Sequence, residues 1–491
     1  MKKMIFLFAM LLTAGVASAD RKYATFVAPT GSGGSYDAES STYTWTKNSD
    51  NLMTVFTFSS GELATYQTLK ITRIGGTYAG TWRANVLFSD GKNKSFSWYN
   101  YNDKSIDLSA GTWGGQNLTT DEGKAEETTH TLADVTAIRI GGASDPGEGN
   151  AYSVVLDWTC VYLENDNDAV VTAGFGKPAS SATYSHTVYS ATAGYSNLME
   201  VFTSASDGIL SKYGKLQFEI QGVTGNFRIG YGSGSSFTIF GSAYGGGGVK
   251  HIDLNSYSTA LASAEYIKFG SNDGSAGNPS SVTILPTKMF LVRSEAYDRS
   301  FTADQKSTVW LPFALTVEEV AAIGGKFYEL TAATSSSLTF TAVTGATEAY
   351  KPYIFVANST GTPFSAMKSK TVAAPKTCSY TVGSATFAGS MKDSTVPSGA
   401  YGFNAASGAF SRTTSDAVTI APFRAYITIE DSSDAPALLN ISFIGNGTTG
   451  ITTVNNADAA NDGVMYNLQG QRISEGHRGL VIKNGRKYVI K

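Results

Sequence analysis

The stretch Asn51-Leu52-Met53-Thr54-Val55-Phe56-Thr57 returns further along the chain as Asn197-Leu198-Met199-Glu200-Val201-Phe202-Thr203, changed at a single position. More matched blocks follow in the same order. Gly61, Tyr66 and Leu69 return as Gly208, Tyr213 and Leu216, and Trp82-Arg83 returns as Phe227-Arg228. Lys104-Ser105-Ile106-Asp107-Leu108 matches Lys250-His251-Ile252-Asp253-Leu254, and Ile138-Arg139-Ile140-Gly141 matches Ile267-Lys268-Phe269-Gly270. Ordered matches of this kind mark an internal duplication, and the repeated unit is the natural unit in which to read the fold.

Within each copy the apolar residues alternate. Leu69-Lys70-Ile71-Thr72-Arg73-Ile74 and Leu216-Gln217-Phe218-Glu219-Ile220 have period two, and Gly75-Gly76 and Gly222 punctuate their ends. Short alternating runs separated by turn residues predict half-buried strands. Composition agrees: 52 Gly, 26 Tyr and 26 Phe, with only 16% charged residues, suit sheets joined by tight turns. The expected fold class is all-β. Residues 20–165 and 169–293 are read as tandem β-sandwich (jelly-roll) domains, of roughly 120 to 140 residues each. Glu164-Asn165-Asp166-Asn167-Asp168 lies between them and reads as a solvated linker rather than a calcium loop or a catalytic cluster.

The chain opens with Lys2-Lys3, an apolar run Met4–Val16 and the small residues Ala17-Ser18-Ala19. That is the layout of a secretory signal peptide, residues 1–19, with cleavage expected before Asp20. No cysteine follows the run, so a lipid anchor is not expected, and no later segment is long and apolar enough to span a bilayer. Cys160 and Cys378 fall in different modules, and Cys160, in the apolar run Val154–Leu163, is expected to be a small core residue. The four histidines, His130, His186, His251 and His477, are not at ligand spacing, so neither metal nor cofactor is expected. A formal net charge of −3 offers no field to gather phosphates, which argues against nucleic acid.

The region 295–445 has a different pattern, built on Ser307-Thr308-Val309-Trp310-Leu311-Pro312-Phe313, Lys326-Phe327-Tyr328-Glu329-Leu330, Glu348–Val356 and Ala421–Ile427. It resembles an uncharacterised β-rich domain recurrent in large secreted bacterial proteins, which carries no known activity. Trp310 departs from the small residue or cysteine expected there. Thr316 is placed to cap a short helix over Val317–Val320. The tail, 462–491, contains Gly463-Val464-Met465-Tyr466-Asn467-Leu468-Gln469-Gly470-Gln471-Arg472-Ile473 and Gly479–Lys491, with Asn484-Gly485 as a hairpin turn. It resembles the C-terminal sorting domain read by type IX secretion machinery. The resemblance implies that machinery as a partner, and an extracellular or outer-membrane-surface address in a Gram-negative bacterium.

No Gly-x-Ser-x-Gly elbow, zinc pattern or phosphate loop is present, so the chain is read as a binding protein and not an enzyme. Duplication favours the same reading, because two weak binding modules gain avidity. Alternation assigns faces. Phe96 and Trp98, aligned with Phe237 and Ile239, are taken as core, and Trp82 and Ala84 likewise with Phe227 and Ile229. Arg83, Tyr99, Tyr101 and Arg139 then share a non-core face in the first copy, and Arg228, Phe240, Lys268 and Tyr244 in the second. Aromatic rings stack on sugar C–H faces and Arg or Lys donates to hydroxyls, so these eight residues are the candidate ligand contacts. The duplicated modules also resemble the jelly-roll carbohydrate-binding modules attached to secreted glycan-degrading enzymes, which implies a polysaccharide or other glycan as partner. A protein-binding adhesin or structural surface protein, and a glycoside hydrolase or lyase, are the alternatives.

Overall fold

The computed structural model describes residues 21–47, 50–73, 76, 82–98, 104–108, 112–113, 116–117, 130–143, 146–164, 168–185, 187–192, 197–203, 208–275, 277–375, 379–414, 418–430, 436–445, 465–466, 472–473, 479–483 and 486–490. The chain divides into two compact units, Met1–Ile444 and Gly445–Lys491. It is all-β, with mostly antiparallel sheets. Residues 1–19, Tyr99, Tyr101, Cys378 and the turn Asn484-Gly485 lie outside the described residues.

Strand order is the same in the two repeated stretches. In the first, Met53–Thr57, Val135–Gly142, Trp82–Phe88 and Asn93–Trp98 lie side by side. In the second, Met199–Thr203, Tyr266–Ser271, Phe227–Gly232 and Thr238–Ile239 follow the same order. Each stretch adds a second set of four strands: Lys22–Tyr23, Val161–Glu164, Thr68–Ile71 and Lys104–Asp107 in the first, against Val170–Thr172, Met289–Arg293, Tyr213–Thr224 and Gly248–Asp253. A three-stranded set completes each: Tyr152–Val155, Thr42–Trp45 and Gly34–Asp37 against Ser280–Thr283, Val188–Ala191 and Ala182–Ser185. Among the described residues of these sets, one join differs. The long strand Tyr213–Thr224 runs on to pair with Ser280–Thr283 and fuses two sets into one seven-stranded sheet.

Register follows order. Leu69 stands opposite Ile106, and Leu216 opposite Ile252. These alternating positions form the cores: Met53, Val55, Leu69, Ile106, Ile138 and Ile140 in one cluster, and Met199, Val201, Leu216, Ile252, Ile267 and Phe269 in the other. Each buried aliphatic contributes about 1.5–3 kcal/mol. The repeated asparagine is structural. The Tyr43 hydroxyl donates to the Asn51 carbonyl, and the Tyr189 hydroxyl to the Asn197 carbonyl. Asn51 Nδ2 donates to the Gly142 carbonyl at 3.0 Å, and Asn197 Nδ2 to that of Ser271 at 3.2 Å. Gly141 and Gly270 must be glycine for the same reason, since a Cβ would come within 2.4 and 2.5 Å of the respective Asn Oδ1.

The ends of the interrepeat segment correct the expectation of a solvated linker. Glu164 is buried and ion-paired with Arg21 at 2.5 Å, while Arg21 lies 4.6 Å over the ring of Tyr162 and 5.8 Å from that of Phe202. Asp168 is also buried, and its carbonyl accepts from the Tyr213 hydroxyl at 3.0 Å. The strands on either side bring these polar groups into the junction between the copies, where Cys160 is buried as expected and packs with the second copy's core.

After residue 294 two five-stranded sheets pack face to face. One runs Lys306–Trp310, Pro352–Ala357, Gly325–Ala333, Ser337–Ala342 and Asn440–Ile444, the last pair parallel. The other runs Ser379–Val382, Ala385–Gly389, Ala425–Ile429, Tyr401–Asn404 and Ala409–Arg412. Leu330, Phe340, Ile354, Phe387, Tyr401 and Ile427 fill the space between them. The outer side of the first sheet joins the second copy through Val170, Phe290, Val292, Phe327 and Phe355. Trp310 is accommodated because Gly389 leaves room: a Cβ there would fall 2.5 Å from the Trp310 ring. Its indole N–H donates to the Tyr350 carbonyl at 2.5 Å. Thr316 caps the helix Val317–Ala322, accepting from the Glu319 N–H at 3.3 Å.

In the C-terminal unit four short strands are ordered Arg472–Ile473, Met465–Tyr466, Gly479–Lys483 and Arg486–Ile490, with Lys483 opposite Arg486.

Candidate functional site

The first copy's sheet Met53–Thr57, Val135–Gly142, Trp82–Phe88, Asn93–Trp98 buries Ala84, Val86, Ile138 and Ile140 on one face. Its other face carries Arg83 and Arg139. Register places Arg139 opposite both Thr54 and Asn85, and Asn85 opposite Ser95. Directly opposed residues share a face, so Thr54, Arg139, Asn85 and Ser95 form one polar row across four strands. Arg83 stands beside that row, opposite Gly141. The sequence reading had the two arginines but missed Thr54, Asn85 and Ser95. The signal was present in Trp82-Arg83-Ala84-Asn85-Val86, where Asn85 alternates in phase with Arg83.

The row is partly satisfied from within. Asn85, only 2% exposed, donates through Nδ2 to Asn93 Oδ1 at 2.8 Å and to Ser95 Oγ at 3.1 Å. Its Oδ1 is buried and accepts from no described residue. Arg83 donates to Asn51 Oδ1 at 3.2 Å. Arg139, half-buried on the central strand, has no hydrogen bond or ion pair with another side chain among the described residues. An unpaired guanidinium and an unpaired buried carbonyl, on residues paired across adjacent strands with backbones about 5 Å apart, can take an acceptor and a donor from one ligand.

On the second copy's equivalent face the cation is paired within the chain. Lys268 takes the place of Arg139, opposite Glu200 and Gly230, and Gly230 is opposite Ile239. Lys268 Nζ lies 3.4 Å from Glu200 Oε1 and 3.7 Å from the centre of the Tyr266 ring. Arg228, expected to be exposed, is 4% exposed and lies 5.6 Å from the Phe237 ring, which leans over Gly230. Phe240, expected on the ligand face, is fully buried, with ring centres 5.0 Å from both Tyr231 and Tyr257. The assignment failed on register. The Phe240 N–H donates to the Ile229 carbonyl at 2.9 Å, so Phe240 corresponds to Phe96, which stands opposite Ala84. The two connections before it, 89–92 and 233–237, differ in length, and the alignment slipped across them. Phe237 and Ile239 accordingly lie on the outer face and not in the core.

Tyr244 also leaves the proposed face. It bridges Phe227, packs edge-on to Phe218 at 5.3 Å and donates to the Phe240 carbonyl at 3.2 Å. The eight candidates therefore divide: Arg83 and Arg139 share the outer face of the first copy, Lys268 is engaged, Arg228 lies covered by Phe237, Phe240 and Tyr244 pack inward, and Tyr99 and Tyr101 are outside the described residues.

Other polar groups lie away from this face. Lys215 is buried against the third region, donating to the Lys370 carbonyl, and burial lowers its pKa to about 8. Burial, with nearby Lys215 adding, lowers that of His251 to about 4. Beside them Gln217 exchanges two hydrogen bonds with the Val372 backbone, at 2.7 and 3.2 Å. This cluster fastens the second copy to the third region. A concavity of about 430 Å³ lined by Thr46, Gly147, Glu148, Gly149, Asn150 and Ala151 contains no aromatic ring on which a sugar could stack. No helix among the described residues is long and apolar enough to cross a membrane.

No protein-family model matches the chain, and neither does any curated protein. Among solved structures, the chain is similar to the crystal structure of a protein from Parabacteroides distasonis described as secreted. That match is 7% identical, has a TM-score of 0.13, and covers 56% of this chain and 88% of that one.

Proposed function

We propose that this is an exported, non-catalytic glycan-binding protein that uses the first copy's outer face. The observation that carries the reading is the polar row Thr54, Arg139, Asn85 and Ser95, with Arg139 unpaired and Asn85 Oδ1 lacking a donor among the described residues. A row of hydrogen-bonding groups of both kinds across four strands suits a chain of sugar rings better than a compact metabolite. In this reading the repeated stretches are tandem jelly-roll domains. The first binds, and the second, held by Gln217 and Lys215 to the third region, carries the first on a fixed base. The four short strands within residues 462–491 act as the sorting tail, delivering the chain to the cell surface or medium of a Gram-negative bacterium. The test is affinity electrophoresis of the exported chain in gels cast with a panel of polysaccharides, followed by product analysis. Retardation by at least one polysaccharide, with no new reducing ends, is expected. Release of oligosaccharides would replace this reading with a hydrolase or lyase.

A further inference from the structure

The two copies differ at the position that decides what Arg139 can bind. In the second copy Glu200 stands opposite Lys268 and gives it a carboxylate at 3.4 Å. In the first copy the matched residue is Thr54, opposite Arg139. The same backbone site thus holds a cation in both copies, yet only one supplies the anion. Four other carboxylates around the first copy have partners of their own. Glu62 pairs with Lys22 at 2.5 Å, Glu164 with Arg21 at 2.5 Å, and Asp90 with His130 at 3.1 Å. Asp134 accepts from the Thr131 N–H at 2.7 Å.

We infer that the first copy binds an acidic glycan, with a uronate carboxylate taking on Arg139 the place that Glu200 holds on Lys268. The inference rests on reading this face as a glycan site and adds the class of sugar. Asn85 supplies a second, independent point of recognition. Its buried Oδ1 requires a donor, which a hydroxyl on the same or the next sugar provides. Thr54 and Ser95, at the two ends of the row, add hydroxyls that both donate and accept. An acidic peptide would bring its carboxylates and backbone N–H groups, but not the run of hydroxyls that a sugar offers to Thr54, Asn85 and Ser95 together. Arg139 therefore selects for the carboxylate, while Asn85 with Thr54 and Ser95 suits the hydroxyls of the sugar that carries it.

The test is calorimetric titration of the exported chain with oligogalacturonate, its carboxyl-reduced neutral counterpart, and polyglutamate. Wild type should bind oligogalacturonate at least about tenfold more tightly than either of the others, as charge-assisted hydrogen bonds are roughly twice as strong as neutral ones. Arg139→Gln should lose about tenfold for the acidic oligomer. Thr54→Glu, which installs the second copy's own carboxylate, should lose as much with an unchanged circular dichroism spectrum and melting temperature. If the acidic and reduced oligomers bind equally and Arg139→Gln has no effect, the acidic assignment is overturned while the glycan reading stands. Equal binding of polyglutamate and oligogalacturonate would overturn the assignment to a sugar. Failure of both oligomers to bind would overturn the inference and the glycan reading of this face together.

Discussion

The first and second copies agree in their interiors and part company on one face. Leu69, Ile106, Met53 and Ile140 have counterparts in Leu216, Ile252, Met199 and Phe269, in the same strands and register. The Tyr–Asn pair beneath the arginine is also kept, as Tyr43–Asn51 and Tyr189–Asn197. On the outer face Thr54 becomes Glu200, Asn85 becomes Gly230, and Ser95 becomes Ile239. What was a hydrogen-bonding row turns into an ion pair beside an aromatic cover. The core defines the unit, while the outer face, whose contacts are not shared between the copies, is where the two can take different work.

The comparison breaks first if the matched cores are not energetically matched. Leu69→Ala and Leu216→Ala each remove a fully buried side chain, so each should cost about 2–5 kcal/mol. Calorimetric scans should show a clear loss for both, and a near-neutral result for one would mean that the shared register does not imply shared load. A smaller effect tests a size exchange. Trp45 fills the space above Gly142, where a Cβ would lie 1.9 Å from the indole nitrogen, whereas the second copy has Ala191 and Ser271 at these places. Gly142→Ser should cost about 1–3 kcal/mol by overpacking. Adding Trp45→Ala should make the serine tolerable, so that the double variant is more stable than the sum of the singles predicts. Strict additivity would show that the exchange is coincidental.

Acid should separate the copies more gently. His251 occupies the second copy's place of Ser105 and is kept neutral by burial, with its folded pKa lowered to about 4. Below about pH 6.5 the unfolded chain binds a proton that the folded chain refuses, so this residue subtracts stability as pH falls toward 4. His251→Gln should therefore gain in melting temperature relative to wild type between pH 6.5 and 4, and show no such trend above pH 7. A constant offset across that range would show that the histidine does not sense acid.

Much of this was legible in the sequence where packing repeats itself. The matched blocks predicted strands that share order and register, because burying Leu69 or Leu216 fixes the phase of everything on its strand. Thr316 signalled its helix through side-chain capping, a local interaction, and Cys160 signalled burial through its apolar neighbours. The failures arose where phase passes through a connection of variable length. Phe240 and Phe237 exchanged faces because 233–237 is not the equal of 89–92. Arg228 was read as exposed because alternation gives a face and not its cover, and the covering residue, Phe237, had been assigned inward. The polar ends of the interrepeat segment were misread for a similar reason: Glu164 and Asp168 are buried by tertiary partners distant in sequence, among them Arg21 and Tyr213.

The central claim is that one copy binds a glycan and the other pairs its equivalent cation within the chain. It is tested most directly by comparing Arg139→Ala with Lys268→Ala, each in the full exported chain, titrated with a polysaccharide that retards the wild type. Arg139→Ala should weaken binding by about tenfold, or about 1.4 kcal/mol, and Lys268→Ala should leave it unchanged. Loss on Lys268→Ala with retention on Arg139→Ala would contradict the account, placing the working face on the second copy.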